Sequence, residues 1–471
     1  MTPQAIPTRV TPNQPGHQQP THRDLDPHLH RYAQRTAGMT ASEIRALFAV
    51  ASRPEVVSLA GGMPYLPALP LDSLADELAQ MVITDGMTAL QYGSAQGTPE
   101  LRERICEVMA LEGIRAHPDD VTVTVGSQMA LDMVTRIFCD PGDVVLAEAP
   151  SYVGALGTFA SYQAQVVQVP MDDDGVIPTE LDAALCSLRA QGRTPKFLYT
   201  IPNFHNPAGV TLAVARRADV LRLCSAHRVL IVEDNPYGLL GFDGQIYPAM
   251  RSTDPDNVVY LGSFSKTFAP GLRVGWALAP HAVREKLVLA AESATLCPPT
   301  FTQFVVSRYL AQHDWKGQIK SYREVYRERR DAMLAALAQH MPPGCRWTHP
   351  AGGFYVWLTV PEGLDTKAML PRAVTQRVAY VPGTAFYADC DISQGDNSRR
   401  DNSREDNSSG DNSPAGRLIR LSFCYPTPER ITEGVRRLAA VLEGELELQR
   451  TFGNVRPRPM FGPQSPSPDT A

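Results

Sequence analysis

Several features that mark common classes of protein are missing from this sequence. No run of apolar residues approaches the ~18 that a membrane-spanning helix needs. The eight cysteines are scattered and none forms a Cys-x-x-Cys pair, which argues against a disulfide scaffold and against a metal site of the zinc type. The N-terminal stretch has no apolar core of a secretory signal. We therefore expect a cytoplasmic protein with no membrane partner.

An excess of basic residues is also missing. The net charge is -6, the pI is about 6.0, and nothing in the pattern marks a nucleic-acid binder. The length of 471 residues and the 43% of hydrophobic residues are enough for a large core and too much for one small domain. We expect no nucleic-acid partner.

Three segments have compositions that cannot form a core. We predict a disordered arm over residues 1–28, a Pro-rich disordered tail over 452–471 and a low-complexity loop over 391–416. The loop contains a five-residue repeat whose copies start at Asp396, Asp401, Asp406 and Asp411. Two interpretations stay open: a contact or tether segment, and repeat expansion in a tolerant loop.

Between these segments, strand and helix patterns alternate. Short apolar runs occupy 121–125, 143–147, 196–200, 229–232 and 258–261, and helical stretches separate them. This alternation predicts an α/β fold in which a mostly parallel central sheet has helices on both faces. We place this large domain at 66–298.

A smaller α+β domain is expected at 299–451. It contains long helical stretches at 302–337 and 428–448 around short strands at 354–358 and 418–422. The N-terminal segment 29–65, with a helical stripe at 41–51, is predicted to pack on this smaller domain.

The most informative motif surrounds Lys266. The run Ser263-Phe-Ser-Lys-Thr-Phe-Ala-Pro-Gly-Leu-Arg273 places a lysine, two hydroxyls and an arginine around a Pro-Gly turn. The hydroxyls of Ser263 and Ser265 and the guanidinium of Arg273 suit a phosphate dianion. The alternative is an exposed lysine in a Ser-rich turn.

Two further motifs follow predicted strands. Gly126-Ser127-Gln128 opens a helix directly after the first strand, so its backbone amides suit an anion, unless it is an ordinary strand-to-helix turn. Asp234 and Tyr237 follow the strand at 229–232, at the sheet edge where open α/β sheets bind ligands. The alternative for Asp234 is a turn-forming residue before Pro236.

The remaining candidates lie in short motifs along the chain. They are Gly62 in Ala60-Gly61-Gly62, Tyr92 in Gln91-Tyr92-Gly93, Tyr152 in Glu148-Ala-Pro-Ser-Tyr152, Asn206 in Asn203-Phe-His-Asn-Pro-Ala-Gly209, and Arg420 in Leu418-Ile-Arg-Leu-Ser422. The alternative for Tyr152 is a surface residue in a turn, and the alternative for Arg420 is a strand-edge residue on the surface. His205, in the same motif as Asn206, could be mistaken for a general base, but we expect it to support the site and not to act as the base.

Taken in order, these motifs resemble the fold-type-I, class I/II aminotransferases that depend on pyridoxal phosphate (PLP), and in particular the 2-aminoadipate, kynurenine and aromatic subgroup. The resemblance covers about residues 39–448, with Ala208 in place of the family's usual Thr. It implies that Lys266 holds the cofactor covalently and moves the substrate proton, and that Asp234 keeps the ring nitrogen protonated.

The same resemblance implies roles for the other candidates. Asn206 and Tyr237 contact O3′ of the cofactor, Tyr152 stacks on its ring, and Gly126, Ser127, Gln128, Ser263, Ser265 and Arg273 hold its phosphate. Arg420, with Gly62 and Asn206, binds the carboxylate of the substrate. Tyr92 reaches the phosphate of a neighbouring subunit, which implies a homodimer with shared active sites.

The expected activity is transfer of the amino group of an aromatic, branched-chain or 2-aminoadipate-like L-α-amino acid to a 2-oxo acid, with 2-oxoglutarate as candidate acceptor. Two alternatives stay open. One is a lyase or decarboxylase on the same cofactor frame. The other is a PLP-sensing regulatory domain, which would need a DNA-binding domain that the first ~40 residues are too short to form.

Overall fold

The computed structural model of the chain describes residues 28–39, 53–388 and 414–452. The predicted helical stripe at 41–51, the Asp-Asn-Ser repeats up to residue 413, the arm before His28 and the tail after Phe452 lie outside the described residues.

The strands, in chain order, are β1 (Val57–Ser58), β2 (Val121–Val125), β3 (Val144–Ala149), β4 (Gln165–Asp172), β5 (Gly175–Val176), β6 (Phe197–Thr200), β7 (Leu230–Asp234), β8 (Val258–Ser263), β9 (Val274–Leu278), β10 (Arg346–Trp347), β11 (Tyr355–Thr359), β12 (Val378–Ala379), β13 (Val381–Pro382) and β14 (Leu418–Ser422). The α-helices are α1 (Leu71–Ala89), α2 (Pro99–Ala110), α3 (Ser127–Phe138), α4 (Val153–Ser161), α5 (Pro178–Ala190), α6 (Val214–Ala226), α7 (His281–Thr295), α8 (Thr300–Gln312), α9 (Trp315–His340), α10 (Thr366–Thr375) and α11 (Pro428–Phe452).

An eight-stranded sheet forms the centre of the molecule, in the order β2-β9-β8-β7-β6-β3-β4-β5. Neighbours from β8 through β7, β6 and β3 to β4 are parallel, and β9 runs antiparallel to both β8 and β2. The α/β fold with a mostly parallel sheet is therefore confirmed. All five strands predicted for this region are present, within three residues at either end.

Both faces of this sheet are covered by helices because its strands are apolar on both sides. In β3, Val145 and Ala147 belong to a core cluster with residues of α3, α4 and α7. Their neighbours Val144 and Leu146 belong to a second cluster with α5 and α6. Side chains alternate across a strand, so a strand buried on both faces is a nearly continuous apolar run.

A second sheet, in the order β10-β11-β14-β13, is antiparallel and is accompanied by α9, α10 and α11. The segment before α1 contacts both parts of the molecule. Its strand β1 pairs with β12, with Val57 opposite Val378. The 3-10 turn Gln34–Gly38 lies against α4, where a Cβ on Gly38 would be 2.9 Å from the carbonyl oxygen of Ala160.

Two sequence expectations need correction. The helical stretch predicted over 302–337 is two helices, because Asp314 caps a new one: its carboxylate accepts a hydrogen bond from the amide of Gly317 at 2.9 Å. The loop predicted to extend to residue 416 ends earlier, since Pro414–Arg417 forms a 3-10 turn in which Gly416 is buried. Among the described residues, no helix is long and apolar enough to span a bilayer.

The sheet brings the predicted motifs to one edge. Asp234 and Ser263 are the last residues of β7 and β8, and Gly126 directly follows β2. These strands point in the same direction, because β2 and β8 are both antiparallel to β9. The carboxyl ends of parallel strands in an open sheet are where such folds bind ligands.

Candidate active site

Lys266 lies at this edge with its amine enclosed by protein. Its Nζ donates a hydrogen bond to the carbonyl oxygen of Gly62 at 3.0 Å and lies 5.5 Å from the ring centre of Phe354. Although part of the side chain is accessible, loss of hydration at the amine lowers the pKa of Lys266, and the charges of Arg420 and Arg273 lower it further. A lower pKa increases the neutral fraction of the amine, the form that acts as nucleophile and base. The alternative of an exposed lysine in a turn is therefore rejected.

Asp234 is a buried carboxylate with half of its hydrogen-bonding capacity unused. Its Oδ2 accepts a hydrogen bond from the hydroxyl of Tyr199 at 2.7 Å, whereas its buried Oδ1 has no partner among the described residues. Burial raises the pKa of Asp234 to about 6, and the Tyr199 hydrogen bond partly offsets that rise. A buried, unpartnered carboxylate oxygen is costly unless a donor binds it, so this atom suits the N–H of a protonated ring.

A second group of candidates surrounds the start of α3. Gly126 has φ +75° and is tightly enclosed, since a Cβ there would lie 2.3 Å from Nη2 of Arg273. Arg273 also contacts Ser265, with Nη1 3.5 Å from Oγ, and the amide of Ser265 donates to Oγ of Ser263 at 3.0 Å. The motif around Lys266 and the motif after β2 therefore converge on one point.

The first amides of α3 complete this anion site. The first N–H groups of a helix have no intrahelical acceptor and lie at the positive end of the helix dipole. The side chain of Gln128 is directed elsewhere, because its Nε2 donates to Thr158 Oγ1 at 2.8 Å and to the carbonyl oxygen of Gly154. Ser127 and Gln128 thus offer backbone amides, as the sequence indicated.

Arg420 is fully enclosed, which rejects the alternative of a surface arginine. It is 2% exposed, lies on the inner strand β14, and stacks 4.3 Å from the ring centre of Tyr355. Nη1 donates to Oδ1 of Asn206 at 2.9 Å and Nη2 to the carbonyl oxygen of Ala60 at 2.7 Å, while the buried Nε has no partner. No ion pair of Arg420 exists within the described residues, so its buried charge is not neutralised by the chain.

Three tyrosines join these charged groups. Tyr237 and Tyr355 hydrogen-bond through their hydroxyls, and burial raises the pKa of both. Their rings meet edge to face with centres 6.2 Å apart. Burial first, and then the charge of Asp234, raises the pKa of Tyr152 to about 12. Tyr152 is half-buried and packs against the core cluster on one face of the central sheet, so it is not a fully exposed surface residue.

Gly62 allows the chain to pass directly beneath Tyr355. A Cβ at Gly62 would lie 2.0 Å from the Tyr355 hydroxyl oxygen, a distance that real atoms do not reach. The neighbouring carbonyl oxygens are also held: Cys424 Sγ donates to that of Met63 at 3.1 Å, and the amide of Ser422 to that of Leu59 at 2.7 Å. The segment 59–63 is thus fixed against Lys266 and β14.

Two sequence candidates lie apart from this cluster. His205 is buried and places Nε2 3.0 Å from Oε2 of Glu148, so it is tied to a carboxylate beneath the site rather than free to act as a base. Tyr92 is 77% exposed, and within this chain no hydrogen bond connects its hydroxyl to the described part of the site.

Sequence reasoning missed Tyr199, Tyr355 and Cys424. Tyr199 belongs to an apolar run that was interpreted as core, yet its hydroxyl reaches Asp234 on the neighbouring strand, where Tyr199 pairs with Val232. A tyrosine near the carboxyl end of a buried strand was the available signal. Tyr355 and Cys424 follow no motif, and only the fold brings them to Lys266 and Arg420.

The residues present fit PLP. Among the residues that the structure describes, Asp234 Oδ1 has no donor, which suits a pyridinium nitrogen, and no carboxylate pairs with the Arg273 guanidinium beside the amides after Gly126, which suits a phosphate. Lys266 has a desolvated amine. These are the three separate demands of the cofactor, for its ring nitrogen, its phosphate and its aldehyde.

Comparison with known proteins also points to an enzyme that uses pyridoxal phosphate. The sequence profile of the family described as "Aminotransferase class I and II" matches residues 54–438. The aromatic-amino-acid aminotransferase 1 of Thermococcus litoralis is 40% identical over 88% of this chain and 95% of its own length. The 2-aminoadipate transaminase of Thermus thermophilus is 36% identical over 87% of this chain and 95% of its own.

Among solved structures, the kynurenine aminotransferase of Pyrococcus horikoshii superimposes with a TM-score of 0.80 at 37% identity. The match covers 89% of this chain and 99% of that one. The chain therefore belongs to the class I and II aminotransferases, and it is an aminotransferase that depends on pyridoxal phosphate.

Proposed function

We propose that the enzyme transfers the amino group of an L-α-amino acid with an aromatic, branched-chain or 2-aminoadipate-like side chain to a 2-oxo acid, with 2-oxoglutarate as the candidate acceptor. The names of the aromatic-amino-acid and 2-aminoadipate relatives support this range of donors. The observation that carries the proposal is Arg420, a buried cation beside aromatic rings that no carboxylate of the described chain neutralises.

Arg420 is proposed to bind the α-carboxylate of the donor. A guanidinium has five N–H donors, and Asn206 and Ala60 occupy only two of them, so a carboxylate finds a fork of donors already held in place. Gly62 leaves the space that this carboxylate needs, because a side chain there would collide with Tyr355. The rings of Tyr355 and Phe386 on either side suit an apolar or aromatic donor.

Lys266 is proposed to anchor the cofactor and then to move the proton. When bound, pyridoxal phosphate supplies a conjugated ring that accepts the electron pair released as the Cα–H bond of the donor breaks. With the cofactor bound, the Nζ of Lys266 would take the Cα proton of the donor and would then return it to the cofactor. Burial lowers the pKa of Lys266, which favours the neutral amine that accepts the proton.

The other site residues are proposed to hold the reacting parts in line. Asp234 keeps a proton on the ring nitrogen through Oδ1, while Tyr199 fixes the orientation of its carboxylate. Tyr237 and Asn206 would bind the ring hydroxyl of the cofactor, and Tyr152 would cover the ring. Arg273, Ser263, Ser265 and the amides of Ser127 and Gln128, with Gly126 at the turn, would hold the phosphate.

The working unit is proposed to be a homodimer with shared active sites. The second half of α1 and the turn after it expose four large apolar side chains, Ile83 (78%), Met87 (93%), Leu90 (70%) and Tyr92 (77%). The first three are spaced i, i+4, i+7, so they lie along one side of the helix end. Exposure of several large apolar side chains to water is unfavourable and is typical of a protein–protein interface. A second copy of the chain would cover these side chains and would bring Tyr92 to the phosphate of its neighbour. A reducing, cytoplasmic compartment suits the unpaired cysteines and is part of the proposal.

Spectroscopy of the purified enzyme tests the donor range. The visible absorption band of the lysine-bound cofactor is followed while L-tyrosine, L-leucine or L-2-aminoadipate is added without an acceptor. We expect conversion to the near-ultraviolet band of the amine form with at least one of them, and a return of the visible band when 2-oxoglutarate is added. No conversion with any of the three would refute the proposed range.

The carboxylate clamp is tested with tyramine, which is tyrosine without its carboxylate. Wild-type enzyme should convert with L-tyrosine and not with tyramine. In Arg420→Ala, kcat/KM for L-tyrosine should fall about 10- to 100-fold or more, because hydrogen bonds to charged groups contribute about 1.5–3 kcal/mol each. An unchanged preference for L-tyrosine in the variant would remove Arg420 from this role.

A further inference from the structure

A group of three potential metal ligands lies outside the active site. Asp182 and Cys186 are four residues apart on α5, on the same side of the helix, and His227 caps the C-terminal end of α6. Asp182 and Cys186 are exposed and His227 is half-buried, so solvent ions reach them.

The spacing of the three ligand atoms leaves room for an ion. His227 Nε2 lies 3.9 Å and Cys186 Sγ 4.0 Å from Oδ1 of Asp182, and all three atoms lie within 4.8 Å of one another. Zinc bonds of ~2.0–2.3 Å in a tetrahedron place neighbouring ligand atoms roughly 3.3–3.8 Å apart. The observed distances therefore need small side-chain rotations and no movement of the helices.

The two helices that present these ligands are fixed in position. Leu181 and Leu185 of α5 and Val220 of α6 are buried in the core cluster on one face of the central sheet. The backbone is thus already organised for a metal, and this lowers the entropic cost of binding. The carbonyl end of α6, beside His227, also favours a cation.

Direct hydrogen bonds among the three side chains do not account for the arrangement equally well. At 3.9 Å, His227 and Asp182 are too far apart for a hydrogen bond, and 4.0 Å is the outer limit for one that involves sulfur. Imidazole, thiolate and carboxylate together are the ligand set of zinc and related transition metals, and an alkaline-earth ion would favour oxygen ligands only.

We propose that Asp182, Cys186 and His227 bind a divalent transition-metal ion of the zinc class, with water in a fourth position. The ion would link α5 to α6 on the surface of the large sheet and would take no part in amino transfer. Binding would release the thiol proton of Cys186, because the thiolate is the ligand.

Cobalt provides the direct test, because a cobalt–thiolate bond has its own absorption band. PLP-loaded enzyme is freed of metal with a chelator and titrated with Co²⁺. We expect one equivalent per chain to produce the thiolate band and Zn²⁺ to abolish it. In Cys186→Ser the band should be absent, and in His227→Ala the affinity should fall by more than about 10-fold, since even loss of an outer partner of a metal ligand costs 10- to 100-fold.

Two matched variants control for other histidines and thiols. Cys345→Ser removes a half-buried cysteine and His281→Ala an exposed histidine, and neither belongs to the cluster. Both should bind Co²⁺ as wild type does, and transaminase activity should be equal in all four variants. Absence of the band in wild type, or a band and affinity unchanged in Cys186→Ser and His227→Ala, would overturn the proposal.

Discussion

At the scale of single residues, the site is built from groups whose charge the chain leaves uncompensated. Asp234 is buried with one oxygen unpartnered, Arg420 is buried without a carboxylate, and Lys266 is desolvated. Each arrangement destabilises the empty protein and favours a ligand of opposite charge or matching hydrogen bonds. Binding of the cofactor and of a substrate carboxylate would therefore add the hydrogen bonds and opposite charges that these buried groups lack in the folded chain.

Asp234 should make the stability of the cofactor-free enzyme depend on pH. Its folded pKa, raised to about 6 by burial, lies above the usual 3.8, so the folded state binds more protons than the unfolded state between these values. Stability contributed by this group is thus present below about pH 4 and is lost as pH rises to 6. The pKa difference corresponds to at most about 3 kcal/mol.

The test measures the unfolding free energy of cofactor-free wild type and variants by urea denaturation at several pH values. Relative to wild type, Asp234→Asn should gain about 1–3 kcal/mol of unfolding free energy between pH 4 and pH 7. Asp173→Asn, at an exposed residue, should show no such trend. A pH-independent difference for Asp234→Asn would contradict the account of Asp234.

The sequence predicts candidate site residues where their chemistry leaves a local pattern. Lys266, Arg273 and the two serines occupy one run of eleven residues around a turn, and Asp234 follows an apolar strand. Tyr199 and Tyr355 could not be assigned, because a tyrosine in a strand has the same pattern whether its hydroxyl meets a carboxylate or lies in the core. The proposed metal ligands leave no such pattern, because His227 lies at the end of a different helix from Asp182 and Cys186 and no Cys-x-x-Cys spacing marks them.

At the scale of elements, one strand-turn-helix unit determines where the phosphate would bind. The residue between β2 and α3 is Gly126, with φ +75° and ψ 164°, a conformation that side chains avoid. Gly275 of β9 packs equally closely, since a Cβ there would lie 2.5 Å from the amide nitrogen of Ser127. Glycines on both sides thus hold the helix start against the Lys266 motif.

Replacing Gly126 with Ala should weaken cofactor binding more than it weakens the fold. The new Cβ would collide with Arg273 and would adopt a strained conformation costing about 1–3 kcal/mol. We expect the affinity for PLP to fall at least about 10-fold in fluorescence titrations.

Gly444→Ala is the matched control, because this helical glycine of α11 has open space around it. It should leave PLP affinity unchanged and stabilise the protein by about 1 kcal/mol. Equal PLP affinity in Gly126→Ala and wild type would show that the turn does not shape the phosphate site.

The boundaries of elements were less predictable than their existence. Apolar runs of four or five residues predicted the buried strands of the central sheet, whereas β12 and β13 have two residues each and no periodicity that could reveal them. The break between α8 and α9 was missed because apolar periodicity continues through it. Its signal was the N-capping residue Asp314.

At the scale of the whole molecule, the exposed apolar side chains of α1 are the main feature that a single chain leaves unexplained. They should be covered by a second copy, so the native enzyme should have a mass of twice 51.5 kDa. The double variant Ile83→Glu/Met87→Glu should shift the mass towards 51.5 kDa and reduce activity, because charge in an apolar interface opposes association.

Light scattering coupled to size-exclusion chromatography measures this shift. Val214→Glu is the control, since Val214 is a 56% exposed apolar residue at the start of α6. It should leave mass and activity as in wild type. A fully active wild-type monomer would refute the shared-site dimer.

Deletion of residues 396–413 should barely change stability. The chain on either side of this segment is already in contact, because a Cβ on Gly383 would lie 2.8 Å from the carbonyl oxygen of Ala415. Loop length has a small effect on folding entropy. We expect the melting temperatures of the deletion variant and of wild type, measured by calorimetry, to lie within a few degrees of each other. A change in unfolding free energy below about 0.5 kcal/mol produces a shift of this size. A large loss would show that the repeats pack against the folded body.

The most direct test of the central claim locates the cofactor on the chain. Reduction of the PLP-loaded enzyme with borohydride fixes the cofactor to its lysine, and peptide mass spectrometry identifies that residue. The other lysines of the chain differ from Lys266 in their surroundings. Lys286, Lys316, Lys320 and Lys367 are exposed, and Lys196 pairs with Asp143 at 3.1 Å. We predict one modified lysine, Lys266, and no modification in Lys266→Ala, which should also lose more than about 1,000-fold in kcat. Modification of another lysine, or transamination retained by Lys266→Ala, would contradict the account.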